Sequence, residues 1–403
     1  MSSLLLTNAH VIDGTGSPVR KMDGILVQDG RIKNLYSALP EGQLSPKADQ
    51  TMDLGGAYVL PGLWDCHAHL GMTFPQDNYA KTPHHELTSD RCVRCGRVAM
   101  DALQYGITSV RVVGEAAYVD VAWKKAFASG MFIGPRLFVA GIPIIATGGH
   151  GWHSGEAVEV DGVAEVRRAV REQLKRGADW VKIMVTGGVA SATETMYESQ
   201  MTLDEIQAAV EVARYKGRKV AAHACGPVGV KMAIRGGVAS IEHGYFLDDE
   251  AVEMMVQHGT FYVPTLAVTQ DEEYIRSHWA DYAIKKALDA APRHEESFLK
   301  AIRAGVRIAA GEDLAPFAER LIPELETMAR AGMEPMQVIV AATKSAAELC
   351  DASDRLGTVE PGKLADLIVV SGNPLENMAN LRKLQLVFKE GQLVVDNRPA
   401  VRS

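Results

Sequence analysis

The stretch LPGLWDCHAHL at residues 60–70 has the pattern of a buried strand that ends in two histidines. Side chains on a β-strand alternate between its two faces, so His67 and His69 point the same way and can hold one metal ion. A His-x-His pair also arises by chance, and buried histidines are often only hydrogen-bonded. The interpretation of this pair therefore depends on the rest of the chain.

Seven more apolar, strand-like runs follow: ITSVRVV (107–113), RLFVAG (136–141), WVKIMV (180–185), KVAAHA (219–224), ASIEHG (239–244), FYVPTL (261–266) and VRIAAGED (306–313). Stretches with helical spacing lie between most of them, and several end in glycine, a common helix stop. Strands alternating with helices in this number predict a closed parallel (β/α)₈ TIM barrel over residues 59–345. An open doubly wound sheet is the alternative, but no Gly-x-Gly-x-x-Gly follows the first strand.

The two ends of the chain have short apolar runs punctuated by turns. Asp29-Gly30 and Glu390-Gly391 each separate two such runs and are typical of hairpins. An isolated hairpin is marginally stable in water, so we expect the ends to pair with each other. Residues 1–58 and 346–403 are thus predicted to form one small β-sandwich domain, with two unrelated terminal hairpins as the alternative.

The composition limits which partners and which cellular compartment we expect for this protein. The 403 residues carry a net charge of −8, which argues against a nucleic-acid partner. No apolar run approaches the roughly 18 residues of a membrane span, and the first residues lack the pattern of a secretory signal. Five scattered cysteines suit a reducing compartment. We therefore expect a cytoplasmic protein with no membrane partner.

The predicted strand ends carry further chemical groups. In a barrel of this kind the chemistry lies at the carboxyl ends of the strands, where this sequence places Lys182, His223, His243 and Asp313. A buried ammonium beside a divalent ion is unfavourable, but a neutral amine that captures CO₂ as a carbamate could bridge two ions. The alternative is a strand-end lysine that extends its amine into solvent. Together these groups predict a metal site.

The motifs resemble the amidohydrolase superfamily, and more closely its imidazolonepropionase-like and prolidase-like branch of metal-dependent carboxypeptidases. The resemblance covers essentially the whole chain and rests on LLLTNAHVIDGTG, PGLWDCHAHL, VKIMVTGGVAS, HACGP, IEHG and LGTVEPGKLADLIVV. It implies two divalent ions, usually zinc, bridged by a Lys182 that CO₂ has carboxylated. The implied ligands are His67, His69 and Asp313 for the more buried ion, and His223 and His243 for the more exposed one.

The resemblance also implies amide or peptide-bond hydrolysis by a hydroxide that bridges the metals, with Asp313 as general base and then acid. His150, in the TGGH loop, is the candidate donor to the oxyanion, a loop-capping histidine being the alternative. His153 and Tyr245 are weaker candidates for substrate contact. Family relatives commonly assemble, so we expect a homo-oligomer.

The expected activity is that of a carboxypeptidase or dipeptidase acting on small dipeptide-like substrates, Xaa-Pro-like dipeptides or N-acyl amino acids. The alternative is hydrolysis of a cyclic amide or of an aryl amide such as a toxin-like conjugate. A mononuclear deaminase is disfavoured by Lys182, and a non-catalytic assembly protein by the complete ligand set.

Three positions depart from the family pattern. Glu312 replaces the threonine of Gly-Thr-Asp, and Val112 stands where Val-Arg-Asp is usual. Cys225 occupies a position that is aromatic in prolidase-like members, where it helps to hold the substrate carboxylate. The polar 187–201 loop is either a lid or an ordinary loop.

Overall fold

Residues 3–39, 46–72, 87–154 and 156–399 are described by the computed structural model, which shows an α/β protein. The strands are β1 (Ser3–Val11), β2 (Arg20–Gln28), β3 (Arg31–Tyr36), β4 (Gln50–Asp53), β5 (Tyr58–Pro61), β6 (Leu63–Ala68), β7 (Ile107–Val112), β8 (Arg136–Val139), β9 (Ile144–Ile145), β10 (Val158–Glu159), β11 (Trp180–Met184), β12 (Lys219–Ala224), β13 (Ser240–His243), β14 (Phe261–Val263), β15 (Leu367–Val370), β16 (Leu384–Lys389) and β17 (Gln392–Asp396). The helices are α1 (Thr88–Asp101), α2 (Val119–Ala128), α3 (Gly162–Arg176), α4 (Leu203–Tyr215), α5 (Pro227–Gly236), α6 (Asp249–His258), α7 (Ala267–Gln270), α8 (Glu272–His278), α9 (Asp281–Ala304), α10 (Phe317–Arg330), α11 (Pro335–Ala341) and α12 (Lys344–Leu349).

The two ends of the chain share one eight-stranded sheet, in the order β17-β16-β15-β5-β1-β2-β3 with β4 paired to β1. The ends meet where β5 pairs antiparallel with β15. Buried side chains from both ends, among them Leu6, Val59 and Phe388, form one apolar cluster. The predicted pairing of the ends is therefore present. The two-layer packing and the domain limits at residues 58 and 345 stay predictions.

Both predicted hairpins are confirmed. β2 pairs antiparallel with β3 across Asp29 (φ 50°) and Gly30 (φ 76°), and β16 pairs with β17 across Glu390 (φ 50°) and Gly391 (φ 75°). Positive φ at both turn residues matches the right-handed twist of the strands and favours glycine at the second position. The two turns also touch, since a Cβ added to Gly30 would lie 2.8 Å from the Glu390 carbonyl oxygen. A side chain at this turn would push the chain ends apart.

The parallel strands of the middle region are linked in a circuit. β6, β7 and β8 pair in that order, and β9, β11, β12, β13 and β14 form a second parallel series. The Asp179 amide, just before β11, donates to the Val139 carbonyl at the end of β8 (2.7 Å). Ile308 bridges to β14, and the Ala310 carbonyl accepts from the Cys66 amide on β6 (2.8 Å). Hydrogen bonds thus lead around the strands and back to β6.

The eighth predicted strand, 306–313, contains a single bridge instead of a regular strand. Its end packs closely on β6, since a Cβ on Gly311 would lie 2.6 Å from the His67 amide nitrogen. The Asp313 amide donates to the His67 carbonyl (3.0 Å), and Asp313 has a left-handed backbone (φ 54°). This close approach brings the Asp313 side chain beside the histidines of the His-x-His motif.

Helix α3 illustrates how the sequence pattern sets the helices. Its buried residues Val166, Ala169, Val170 and Gln173 fall on one face, because their spacing follows the helical repeat. Gly177, in the left-handed region (φ 109°), ends the helix. Glycines also follow α5, α6 and α9, as predicted. In the described residues no helix is both long and apolar enough to cross a membrane.

Candidate metal centre

The predicted ligands lie on the wall of one cavity of about 420 Å³. They are positioned by β6 and the residues after it, by β11, β12 and β13, and by the segment that packs on β6. The cavity-lining ligand candidates are His67, His69, Lys182, His223, His243 and Asp313. Residues far apart in the sequence are thus collected at one end of the parallel strands.

Asp313 is central to this group. Its Oδ1 lies 3.3 Å from Nε2 of His69 and 3.5 Å from Nε2 of His67, and its Oδ2 lies 3.8 Å from Nδ1 of His243. Donor atoms of His67, His243 and Asp313 lie within 4.8 Å of one another. The His223 ring adjoins the His243 ring with a centroid separation of 4.5 Å. The arrangement can hold a metal ion between imidazole nitrogens and a carboxylate.

In three of the candidate histidines, one ring nitrogen makes a hydrogen bond within the protein and the other is available to bind a metal ion. Nδ1 of His69 lies 2.7 Å from the Gly114 carbonyl oxygen, and Nε2 of His223 lies 3.2 Å from the Gly187 carbonyl oxygen. A carbonyl oxygen only accepts, so in each ring that nitrogen carries the proton. His67 likewise donates through Nδ1, to Glu242. This is the pattern by which proteins orient histidines that bind metals.

Burial keeps most of these imidazoles neutral. It lowers the pKa of His67 to about 4 and the pKa values of His223 and His243 well below the ordinary one. Burial also acts to lower the pKa of His69, but the hydrogen bond and charge of Asp313 outweigh it and raise that pKa. The pKa of Asp313 is lowered, because its histidine neighbours outweigh burial. Neutral imidazole and ionised carboxylate are the forms that bind divalent cations.

Lys182 projects from β11 and is almost fully buried (1% exposed). Burial lowers the pKa of its ammonium to about 8, although the charges of Glu242 and Asp313 oppose the shift. A lysine with this pKa has far more free amine at neutral pH than an exposed lysine. The free amine is the form that reacts with CO₂.

A buried ion pair supports His67 and was missed by the sequence analysis. Glu242 on β13 accepts from Nδ1 of His67 (2.8 Å) and from the Arg111 guanidinium (2.8 and 2.9 Å). Arg111 also donates to the Cys66 carbonyl (2.6 Å) and to the Ser240 hydroxyl (2.9 Å). The signal was present in the sequence, as one charged residue inside each of the apolar runs ITSVRVV and ASIEHG. Charges inside buried strands require partners.

Removing Arg111 is expected to weaken both the fold and the metal site. Arg111→Met leaves Glu242 buried without its counter-charge, which should cost about 3–5 kcal/mol in the free energy of unfolding. Loss of orientation at His67 should weaken zinc binding roughly 10–100-fold. Urea unfolding and competition with a chelator measure the two effects. Arg303→Met, at an exposed position on α9, is the control. A wild-type zinc affinity in Arg111→Met would contradict the role of Arg111 in supporting His67.

The three candidate substrate contacts also line the cavity. The His150 ring stacks on His223 with a centroid distance of 4.3 Å, and its Nδ1 contacts Glu194. Tyr245 is buried, its ring packs beside His243 (5.5 Å), and burial raises the pKa of its hydroxyl well above the ordinary value. Burial lowers the pKa of the half-buried His153.

The side chains at the three departures from the family pattern are all buried. Glu312 is fully buried, and its carboxyl accepts a hydrogen bond from the Leu314 amide (2.6 Å). Burial raises the pKa of Glu312 well above its ordinary value. Cys225 is buried with its Sγ 3.7 Å from Nε2 of His223, and Val112 is buried at the end of β7.

Comparison with known proteins identifies the family. The profile of the amidohydrolase family matches residues 58–394. The ochratoxinase of Aspergillus niger is 33% identical over 371 residues, which cover 83% of this chain and 75% of that protein. Families of this kind are typically metal-dependent, in agreement with the His/Asp cluster of the cavity.

Solved structures resemble this protein over nearly the full length of the chain. A Xaa-Pro dipeptidase with methionine bound in its active site is 35% identical with a TM-score of 0.88, over 97% of this chain and 99% of that one. A prolidase complexed with N-methylphosphonate-L-proline is 29% identical with a TM-score of 0.88, over 98% of this chain and 100% of that one. The chain therefore belongs to the amidohydrolase superfamily, and it is a hydrolase that acts on carbon–nitrogen bonds.

Proposed function

We propose that this chain is a binuclear metal-dependent carboxypeptidase or dipeptidase that cleaves Xaa-Pro-like dipeptides or N-acyl amino acids. The observation that carries the proposal is the convergence of four histidines, Lys182 and Asp313 on one cavity. The similarity to a Xaa-Pro dipeptidase and a prolidase supports the substrate class. Cytoplasmic location and homo-oligomeric assembly stay predictions.

We also propose that the linked parallel strands are a closed (β/α)₈ TIM barrel over residues 59–345. The circuit of hydrogen bonds that returns to β6 supports closure. The position of the cavity at one end of these strands fits the usual place of a barrel active site. The terminal sheet would then be the β-sandwich domain of residues 1–58 and 346–403.

Two ions would be held by this chain's own residues. His67, His69 and Asp313 would bind one ion, His223 and His243 the other, and a carboxylated Lys182 would join them. Neutral imidazoles with carboxylates are ligands that suit Zn²⁺. When bound, the ions supply Lewis acidity toward the substrate carbonyl and lower the pKa of water. The carbamate and the Asp313 carboxylate would offset two of the four positive charges.

The remaining chemistry falls to side chains. Asp313 accepts the proton of the attacking water and delivers it to the departing amine, a transfer that a carboxylate on the cavity wall can make. His150 donates through Nε2 to the carbonyl oxygen as negative charge develops there. A ring that donates through both nitrogens is positively charged, and the Glu194 carboxylate beside Nδ1 balances this charge.

A second candidate is hydrolysis of a cyclic amide or of an aryl amide such as a toxin-like conjugate. The 33% identity to ochratoxinase favours it. The cavity wall also includes the apolar side chains of Met184, Val268 and Trp279, which suit an aromatic substrate.

A substrate panel with metal analysis tests these proposals. Protein grown with zinc and bicarbonate is expected to contain about two zinc ions per chain and to hydrolyse Xaa-Pro or N-acyl amino acids in preference to aryl amides. Xaa-Arg dipeptides belong in the panel as a test of side-chain preference. Less than about one ion per chain would contradict the binuclear site. Turnover restricted to amides without a free carboxylate would exclude the carboxypeptidase.

A further inference from the structure

His150 is held by a network that the sequence motifs do not show. The Glu194 carboxylate contacts Nδ1 of His150, and the side-chain amide of Gln200 forms hydrogen bonds with both of these residues. Gln200 Oε1 accepts from the His150 backbone amide (2.7 Å), and Gln200 Nε2 donates to Glu194 Oε2 (2.9 Å). We infer that Glu194 is a positioning residue, which accepts from the Nδ1–H of His150 so that Nε2–H is the donor available to the substrate. This inference rests on the proposed role of His150.

The ring has little freedom in this arrangement. One of its contacts is the His223 ring, stacked at a centroid distance of 4.3 Å. Another is the backbone of Gly188, where an added Cβ would lie 2.4 Å from Cε1 of His150. A carboxylate only accepts hydrogen bonds, so the nitrogen facing Glu194 carries a proton. A ring that keeps this proton and also donates through Nε2 carries a positive charge, which the Glu194 carboxylate can balance.

Glu194 is itself fixed in place. Glu194 is buried, although several of its neighbours in the 187–201 loop are exposed. Lys286 on α9 donates to the backbone carbonyls of Ser191 and Glu194, both at 2.5 Å. Tyr282 on the same helix donates to the Ala190 carbonyl (3.0 Å). The helix thus holds the part of the loop that carries the carboxylate, and whether the loop also moves as a lid stays a prediction.

The carboxyl of Glu194 is ionised at neutral pH. Burial acts to raise its pKa, but the hydrogen bond and charge of His150, with the hydrogen bond from Gln200, outweigh burial and lower it. Glu198 in the same loop offers a matched comparison. It is exposed, and its carboxylate accepts from Gln200 (3.3 Å) and Thr195 (3.4 Å).

A double-mutant cycle separates positioning from a structural role. With the best substrate of the panel, Glu194→Ala should lower kcat about 10–100-fold and change KM about threefold or less. In a His150→Asn background the same change should lower kcat about twofold or less, because Glu194 acts through His150. Glu198→Ala should leave kcat unchanged. Equal losses in both backgrounds would overturn the inference. Glu194→Gln, which keeps the volume, replaces the alanine variant if that variant unfolds.

A second readout needs no turnover. In zinc-loaded protein with ¹⁵N-labelled histidine, the His150 signals are those that vanish in His150→Asn. Wild type should show a protonated Nδ1, and Glu194→Ala should lose the proton from Nδ1 at the same pH. An unchanged Nδ1 signal would overturn the inference. Absence of amide turnover with a Glu194-dependent Nδ1 signal would contradict the proposed function and leave the positioning contact standing.

Discussion

Asp313→Asn is expected to lower kcat/KM about 10²–10⁴-fold, the range found when a general acid–base group is removed. Asparagine has nearly the same shape, so it can still occupy the space beside His67 and His69. It cannot take a proton from water and deliver it to the amine, and its neutral amide binds a cation more weakly. Steady-state kinetics with the best substrate, combined with zinc analysis of the same samples, measure the loss.

The size of this effect depends on how firmly the residue is placed. The Asp313 amide donates to the His67 carbonyl (3.0 Å), and Gly311 lies against the same strand. The backbone therefore sets the position of the carboxylate, and a substitution has no easy way to compensate. Asp249→Asn, on a side chain that is 91% exposed, is the matched control and should retain wild-type kinetics. A variant of Asp313 with more than about a tenth of wild-type activity would contradict a role in proton transfer.

The fold was predictable where a local pattern determines it. The hairpins follow from Asp29-Gly30 and Glu390-Gly391, and most parallel strands follow from short apolar runs. The third run is less regular than expected. The structure ends β8 at Val139 and resumes pairing in β9, because Gly141 adopts a positive φ (69°) and Pro143 has no amide hydrogen to donate.

The convergence of the candidate ligands on one cavity was predictable for a different reason. A residue at the carboxyl end of a parallel strand faces the same region as its counterparts on the other strands, so sequence position implies spatial position. No comparable rule relates sequence position to spatial position for the residues that support these ligands. The Arg111–Glu242 pair spans 131 residues, and the His150–Glu194 contact joins two loops 44 residues apart. Contacts of this kind depend on tertiary packing, which one sequence does not encode in a readable spacing.

Lys182→Ala is expected to lower the activity as much as Asp313→Asn does. The cause differs, because the lysine variant loses bound metal. Without the amine no carbamate forms, so the zinc content should fall from about two ions to about one per chain, and kcat should drop by about 10²–10⁴-fold. Incubation of the wild type with ¹³C-bicarbonate should give a carbamate carbon signal that is absent from the variant. This readout does not depend on turnover or on the choice of substrate.

The cavity left by Lys182→Ala offers a stricter test than the loss itself. A small carboxylate such as acetate or propionate carries the same two oxygens as the carbamate and fits space vacated by the lysine side chain. It should therefore restore part of the lost activity, by about fivefold or more at saturating concentration. Lys285→Ala, on a side chain that is 76% exposed, should show neither loss nor rescue. If Lys182→Ala instead keeps two ions and most of its activity, the lysine does not bridge the metals, and its low pKa reflects burial alone.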